Sequence, residues 1–154
     1  MPAQAQFYDY RTALAERLEE IAVATVDAND AISTADSIER LLMGDFPAFT
    51  TYAILFGDRT VEIPLDVPKG YAKSYIDWEL ILVAKGQVAF TPDVLDFCYQ
   101  KLHHYHFPVE NELQVPIDRA LTCYFEGWDP EERLTDELRM VPFHIRIVTL
   151  DQLV

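Results

Sequence analysis

The sequence predicts an α+β fold, with a mostly antiparallel sheet packed against one or two helices. Three observations carry this. Apolar residues alternate with polar ones in separate stretches such as "YIDWELILVAKG", "ALTCYFEG" and "MVPFHIRIVTL". Two other stretches, near the N-terminus and after Pro92, show helical spacing instead. No internal repeat, low-complexity tract or linker interrupts the 154 residues, so residues 1–154 read as a single domain with one core.

Residues 1–44 read as a helical segment. Phe7 to Val26 is an amphipathic helix in which Phe7, Tyr10, Leu14, Leu18, Ile21 and Thr25 form one stripe. Glu16, Glu19 and Glu20 face away from it as a solvated side. "NDAISTAD" supplies polar breakers, and "SIERLLM" forms a short second helix ended by Gly44. Asp36 is the expected N-cap, with Glu39 three residues on.

Residues 45–154 read as strands with one helix at about 92–107. "FPAFTTYAILFG" is rich in aromatic and β-branched residues and reads as a strand, with Pro47 near its start. "GDRT" makes a turn, and "VEIPL" returns as a second strand that Pro64 confines to an edge or ends early. "DVPKGYAKS" is a loop. In "YIDWELILVAKG", Ile76, Trp78, Leu80 and Leu82 share one face, and Asp77 and Glu79 share the other before Ile81 and Val83 bury it.

The helix that follows has Thr91 as N-cap, Pro92 at its first position, Asp93 in the first turn, and Pro108 as its stop. "VENELQVPIDR" is a polar connection. The next strand sets Leu121, Cys123 and Phe125 against Thr122, Tyr124 and Glu126. "WDPEERLTDEL" shows cap, proline and acids in helical order and reads as a short helix or helical loop. The last strand turns Phe143, Ile145 and Ile147 inward.

Composition narrows function. Hydrophobic residues make up 50% and charged residues 25% of the chain, as in globular domains. No apolar run reaches the roughly 18–20 residues of a membrane span, and the N-terminus shows no export signal, so a cytosolic compartment is expected. Cys98 and Cys123 lack metal or redox spacing and read as buried free thiols. A net charge of −14, with only 12 basic residues scattered along the chain, argues against a groove that grips nucleic acid.

"KLHHYHFP" concentrates three histidines. On a helix whose buried face is Val94, Cys98, Leu102 and Tyr105, His103 and His104 point about 100° apart, so three imidazoles do not converge on one ion. A helix end complemented by histidine is the simpler reading. His144 reads as a surface or cross-strand neighbour. Asp77 and Glu79 resemble a carboxylate pair without a third polar partner. Trp78 and Trp128 follow strand alternation with acids between them, which fits packing better than base stacking. No phosphate-binding glycine loop or nucleophile elbow occurs in the sequence. The expectation is a non-enzyme, with no catalytic, cofactor-binding or metal residues.

A helical N-terminus, then "DFPAFTTYAILFG" opening a hairpin, "YIDWELILVAKG", a helix, and finally "ALTCYFEGWDPEE" with "MVPFHIRIVTL", together resemble the tail terminator proteins of long-tailed bacteriophages. The resemblance runs from about Tyr8 to Leu150. It implies a structural virion protein of the tail or neck, made in the host cytoplasm. Such a protein forms a homo-oligomeric ring, typically a hexamer, on the tail tube and presents a surface to the head–tail connector. DNA passes through the lumen as a non-specific passenger, and no membrane is involved. Other neck or minor tail proteins share much of this layout, and a small non-viral adaptor module that binds protein partners is the alternative. On the ring reading, the loop "DVPKGYAKS" with Lys69 and Lys73 is expected to meet the acidic "WDPEERLTDELR" of a neighbour.

Overall fold

The computed structural model describes residues 10–19, 23–24, 33–44, 48–49, 51–67, 69–86, 92–107 and 121–152. They form three helices and one seven-stranded sheet, antiparallel except for one short parallel pair, which is an α+β architecture. The helices are α1 (Tyr10–Leu18), α2 (Thr34–Leu42) and α3 (Pro92–Leu102). The strands are β1 (Val23–Ala24), β2 (Tyr52–Glu62), β3 (Tyr71–Lys85), β4 (Tyr105–His106), β5 (Leu121–Trp128), β6 (Glu132–Arg133) and β7 (Leu138–Gln152). Their order across the sheet is β1-β2-β3-β7-β5-β4, with β6 added beside β7.

The centre of the sheet is the pair β3–β7. All fifteen residues of β3 are in register with β7, from Tyr71 opposite Gln152 to Lys85 opposite Leu138. The alternation in both sequences explains this. Ile76, Trp78, Leu80 and Leu82 join Phe143, Ile145 and Ile147 on one face, where α1 and α3 cover them with Tyr10, Leu14, Leu18, Cys98 and Leu102. Among the described residues the opposite face is covered only at one end. There Leu41 of α2 packs with Leu55, Ile81, Val83 and Met140, flanked by Leu134 and Leu138. The expectation of one or two helices on the sheet becomes two on one face and one on the other. On the first face a buried Ser74–Thr149 pair, also opposite in register, satisfies its own hydroxyls by a mutual hydrogen bond.

Several boundaries differ from the sequence expectation. The first helix ends at Leu18, and Val23–Ala24 pairs in parallel with Tyr52–Ala53, so residues 1–44 are not helical throughout. The stripe Tyr10, Leu14 and Leu18 is buried as expected, and Glu16 and Glu19 are exposed. Phe7, Glu20, Ile21, Thr25, Pro47, Thr91 and the connection 109–119 lie outside the described residues. The N-cap of α2 is Ser33 and not Asp36: the Ser33 hydroxyl accepts from the Asp36 backbone N–H at 3.1 Å. Asp36 instead pairs with Arg40 one turn on. Gly44 follows the helix with φ +78°, as a terminating glycine should.

"GDRT" is not a turn. β2 runs through it to Glu62, and a bulge at Gly57–Asp58 sets two residues against Glu79 alone. Gly57 is there for close approach: a Cβ on it would collide with the Thr34 hydroxyl and stand 3.0 Å from the Glu79 carbonyl. Thr34 and Asp58 exchange two hydrogen bonds across this junction, at 3.1 and 3.2 Å. The actual hairpin loop is residues 63–70, with Pro64 just past the strand's end. Tyr71–Ser74, expected in a loop, belong to β3.

"WDPEERLTDEL" is not helical either. Glu132–Arg133 pair with Met140–Arg139, and the Thr135 hydroxyl closes a turn by accepting from the backbone of Glu137 and Leu138. Burial of Leu134 and Leu138 against the second core outweighs the local helical signals.

Candidate assembly surfaces

The histidine cluster sits where α3 gives way to the sheet edge. The last helical bond is His103 N–H to Tyr99 O at 2.8 Å. His104 then takes φ +60°, a left-handed conformation that stops the helix short of the expected 107. Its N–H donates to Cys123 O at 2.7 Å, which leads the chain into Tyr105–His106 beside β5. The reversal also overturns the expected divergence of the rings. His103 and His104 stack at 4.1 Å between centroids.

His103 does not serve the helix dipole. Its Nδ1 accepts from the Phe125 N–H at 3.1 Å. The imidazole stands in for a missing strand partner on the outer edge of β5. His106 lies exposed on β4, and His144 sits on β7 with Nε2 3.0 Å from Asp129 Oδ2, as a cross-strand surface residue would.

Around this point six rings touch in series: Trp128, Phe125, Tyr99, His103, His104 and Tyr124. Successive centroids lie between 4.1 and 5.9 Å apart. Phe125 is buried, whereas Trp128, Tyr99, Tyr124 and His104 are exposed. Single apolar residues on a surface are ordinary, and here several exposed rings are joined into one ridge. The sequence pointed to these histidines and to Trp128 separately, and missed that an edge strand gathers them.

Asp77 and Glu79 share one strand face, as the alternation requires, but differ in their partners. Asp77 lies opposite Arg146 in register and is held by it at two points, 2.7 and 3.1 Å. Arg146 also lies over the Tyr75 ring at 5.1 Å, and its pKa is raised, first by the hydrogen bond to Asp77. Asp77 and Glu79 both border an open groove of about 440 Å³, with Asp58, Thr60, Glu126 and His144. Among the described residues no helix covers this end of the second sheet face. No group of three His, Cys, Asp or Glu able to hold a metal occurs among the described residues. Cys98 and Cys123 are buried free thiols, and desolvation pushes both up to about 12, far from a reactive thiolate.

No protein-family model matches the chain, and no curated protein matches it. Among the described residues no helix is long and apolar enough to cross a membrane.

The second surface is the β2–β3 hairpin. Beyond the bulge, among the described residues, β2 pairs with β3 alone, from Arg59 opposite Trp78 to Glu62 opposite Tyr75. Val61 is 54% exposed, Ile63 65% and Leu65 98%. The arm thus carries three large aliphatic side chains in water within five residues, beside the separately exposed Leu42 and Met43 on α2's end. Trp78 anchors its base, with Nε1 donating to Gly57 O at 3.2 Å and the Arg59 guanidinium 5.3 Å from the ring. The Lys73 ammonium lies 5.1 Å from the Tyr75 ring, and its pKa is raised, first by a hydrogen bond with that tyrosine.

Proposed function

We propose that this chain is a structural virion protein of the tail terminator kind, which forms a ring on the end of a phage tail tube and joins it to the head–tail connector. The observation that carries the reading is the β2–β3 arm. Its Val61, Ile63 and Leu65 cluster in solvent on a well-packed sheet, an apolar patch that a partner surface would bury favourably. Residues whose work is to be covered by other copies are what an assembly protein needs and an isolated monomer does not.

Charge supports the same reading. Six copies at −14 each carry −84, so acids lining a lumen would let DNA pass without holding it. Screening within about 8 Å at physiological salt means that only lumen-facing acids contribute.

The test is co-expression with a phage tail tube protein, followed by electron microscopy of tube ends and native mass measurement. The reading expects ring-shaped density on tube ends and tubes of uniform length. Tubes whose ends stay bare and whose lengths stay unregulated would rule it out.

A further inference from the structure

The arm and the aromatic ridge lie on opposite sides of the central β3–β7 pair, one on β2 and the other on β5. We infer that the β2–β3 arm of one copy docks on the aromatic ridge of the next. This contact deepens the ring reading and rests on it for the claim that copies associate at all.

Charge selects the occupant. Two chains of −14 repel, so they can meet only where acid is locally absent or opposed. Residues 58–75 carry three basic and three acidic side chains and no net charge. Residues 126–137, which run from the ridge into the β6 turn, carry six acids against Arg133 alone, a net of −5. Arg133 is already paired with Asp136, Arg139 with Glu131, and His144 with Asp129. Glu132 and Glu137 are exposed with no ion-pair partner among the described residues, and so is Lys69 on the arm. A second copy's arm therefore brings Lys69 to an acidic rim while Ile63 and Leu65 cover rings of the ridge. An apolar centre with a charged rim is how protein interfaces are built.

Symmetry follows from the placement. Two different surfaces at opposite edges make a heterologous contact, which closes into a ring when the rotation per copy divides a full turn. An arm-to-arm dimer would leave the ridge uncovered and Glu132 and Glu137 unpaired.

Disulfide trapping tests this on the full chain, since the native thiols at Cys98 and Cys123 are buried and give little background. One sample carries Leu65→Cys, another Trp128→Cys, and a third mixes the two, all at low salt. The contact expects a covalent dimer in the mixture and none in either sample alone, with Tyr99→Cys able to replace Trp128→Cys. Lys69→Glu should slow the trapping by about tenfold, and pairing it with Glu132→Lys should restore it. A dominant Leu65→Cys homodimer overturns the contact. So does a mixture without cross-links while native mass shows oligomers, because another surface then holds the ring. A chain that stays monomeric both alone and with tube ends overturns the ring reading instead, and the contact falls with it.

Discussion

Asp77 on β3 and Arg146 on β7 face each other across the two central strands, and the guanidinium grips the carboxylate through Nε at 2.7 Å and Nη2 at 3.1 Å. The fork geometry matches the carboxylate, and Tyr75 backs the cation. Both side chains are about one-third exposed, so water screens the pair. A double-mutant cycle with Asp77→Asn and Arg146→Gln should give a coupling of about 0.5–1 kcal/mol that shrinks as salt is added. The raised pKa of Arg146 makes its contribution fully present below the unfolded arginine value, so it is flat at every ordinary pH. Urea unfolding at low and high salt measures the coupling, and a value indifferent to salt would mean the pair is not electrostatic.

Gly57 should tolerate no side chain. Gly57→Ala puts a methyl group into the Thr34 hydroxyl and against the Glu79 carbonyl, at a cost of about 1–3 kcal/mol. Thr34→Ala alone removes the acceptor for the Asp58 N–H, which is exposed and can turn to water, so it should cost about 1 kcal/mol or less. Together the two changes should cost less than their sum, because the second removes the atom that the first collides with. Strict additivity in chemical denaturation would show that α2 does not pack on the bulge this closely.

That glycine also shows where the sequence stopped being legible. β3 and β7 could be read because each strand's own alternation matches its two faces, and α3 because Pro92 marks its start. Gly57 in "GDRT" carries the local signal of a turn, while its real reason is Thr34, distant in sequence. The same holds for Val23–Ala24 and Tyr105–His106, two-residue strands formed by partners distant in sequence that the local pattern absorbs into a helix. Glu132–Arg133 is a short strand too, but its partner Arg139–Met140 is nearby, and the helical signals of the segment hide the tight turn between them. Asp36 lost the cap to Ser33, three positions earlier, because either residue type satisfies the capping rule and the helix starts nearly one turn sooner than expected. The aromatic ridge was invisible for a similar reason: its rings come from α3, the following turn and β5, and only the sheet edge assembles them.

His103 should act through its Nδ1 alone. His103→Ala leaves the Phe125 N–H without an acceptor at a half-buried place and should cost about 1–2 kcal/mol. His103→Asn, whose side-chain carbonyl can accept in a similar position, should recover part of that loss. Nitrogen-15 spectra of the imidazole should report the proton on Nε2. A ring protonated on Nδ1 would contradict the hydrogen bond, and equal stability of the alanine and asparagine variants would reduce His103 to packing.

Cys98 and Cys123 predict how the fold responds to alkali. In the unfolded chain a thiol titrates near 9.0, whereas burial holds both folded thiols up to about 12. Below the unfolded value both states keep the proton, and the thiols add no pH dependence. Between about 9 and 12 the unfolded chain releases protons that the folded one retains, so stability falls as pH rises. Each thiol contributes about 1.4 kcal/mol per pH unit there, about 2.7 for the two. Tyrosines and lysines also titrate in this range, so the decisive quantity is a difference between two proteins. Cys98→Ala with Cys123→Ala should lower stability at pH 7 through lost packing, yet show a shallower alkaline slope by about that 2.7 kcal/mol per unit. In the native protein neither thiol should react with iodoacetamide at pH 8 until denaturant unfolds the sheet. Identical slopes in the two proteins, or alkylation of the folded chain at the rate of a free thiol, would mean that these sulfurs are not enclosed in the core between α3 and β5.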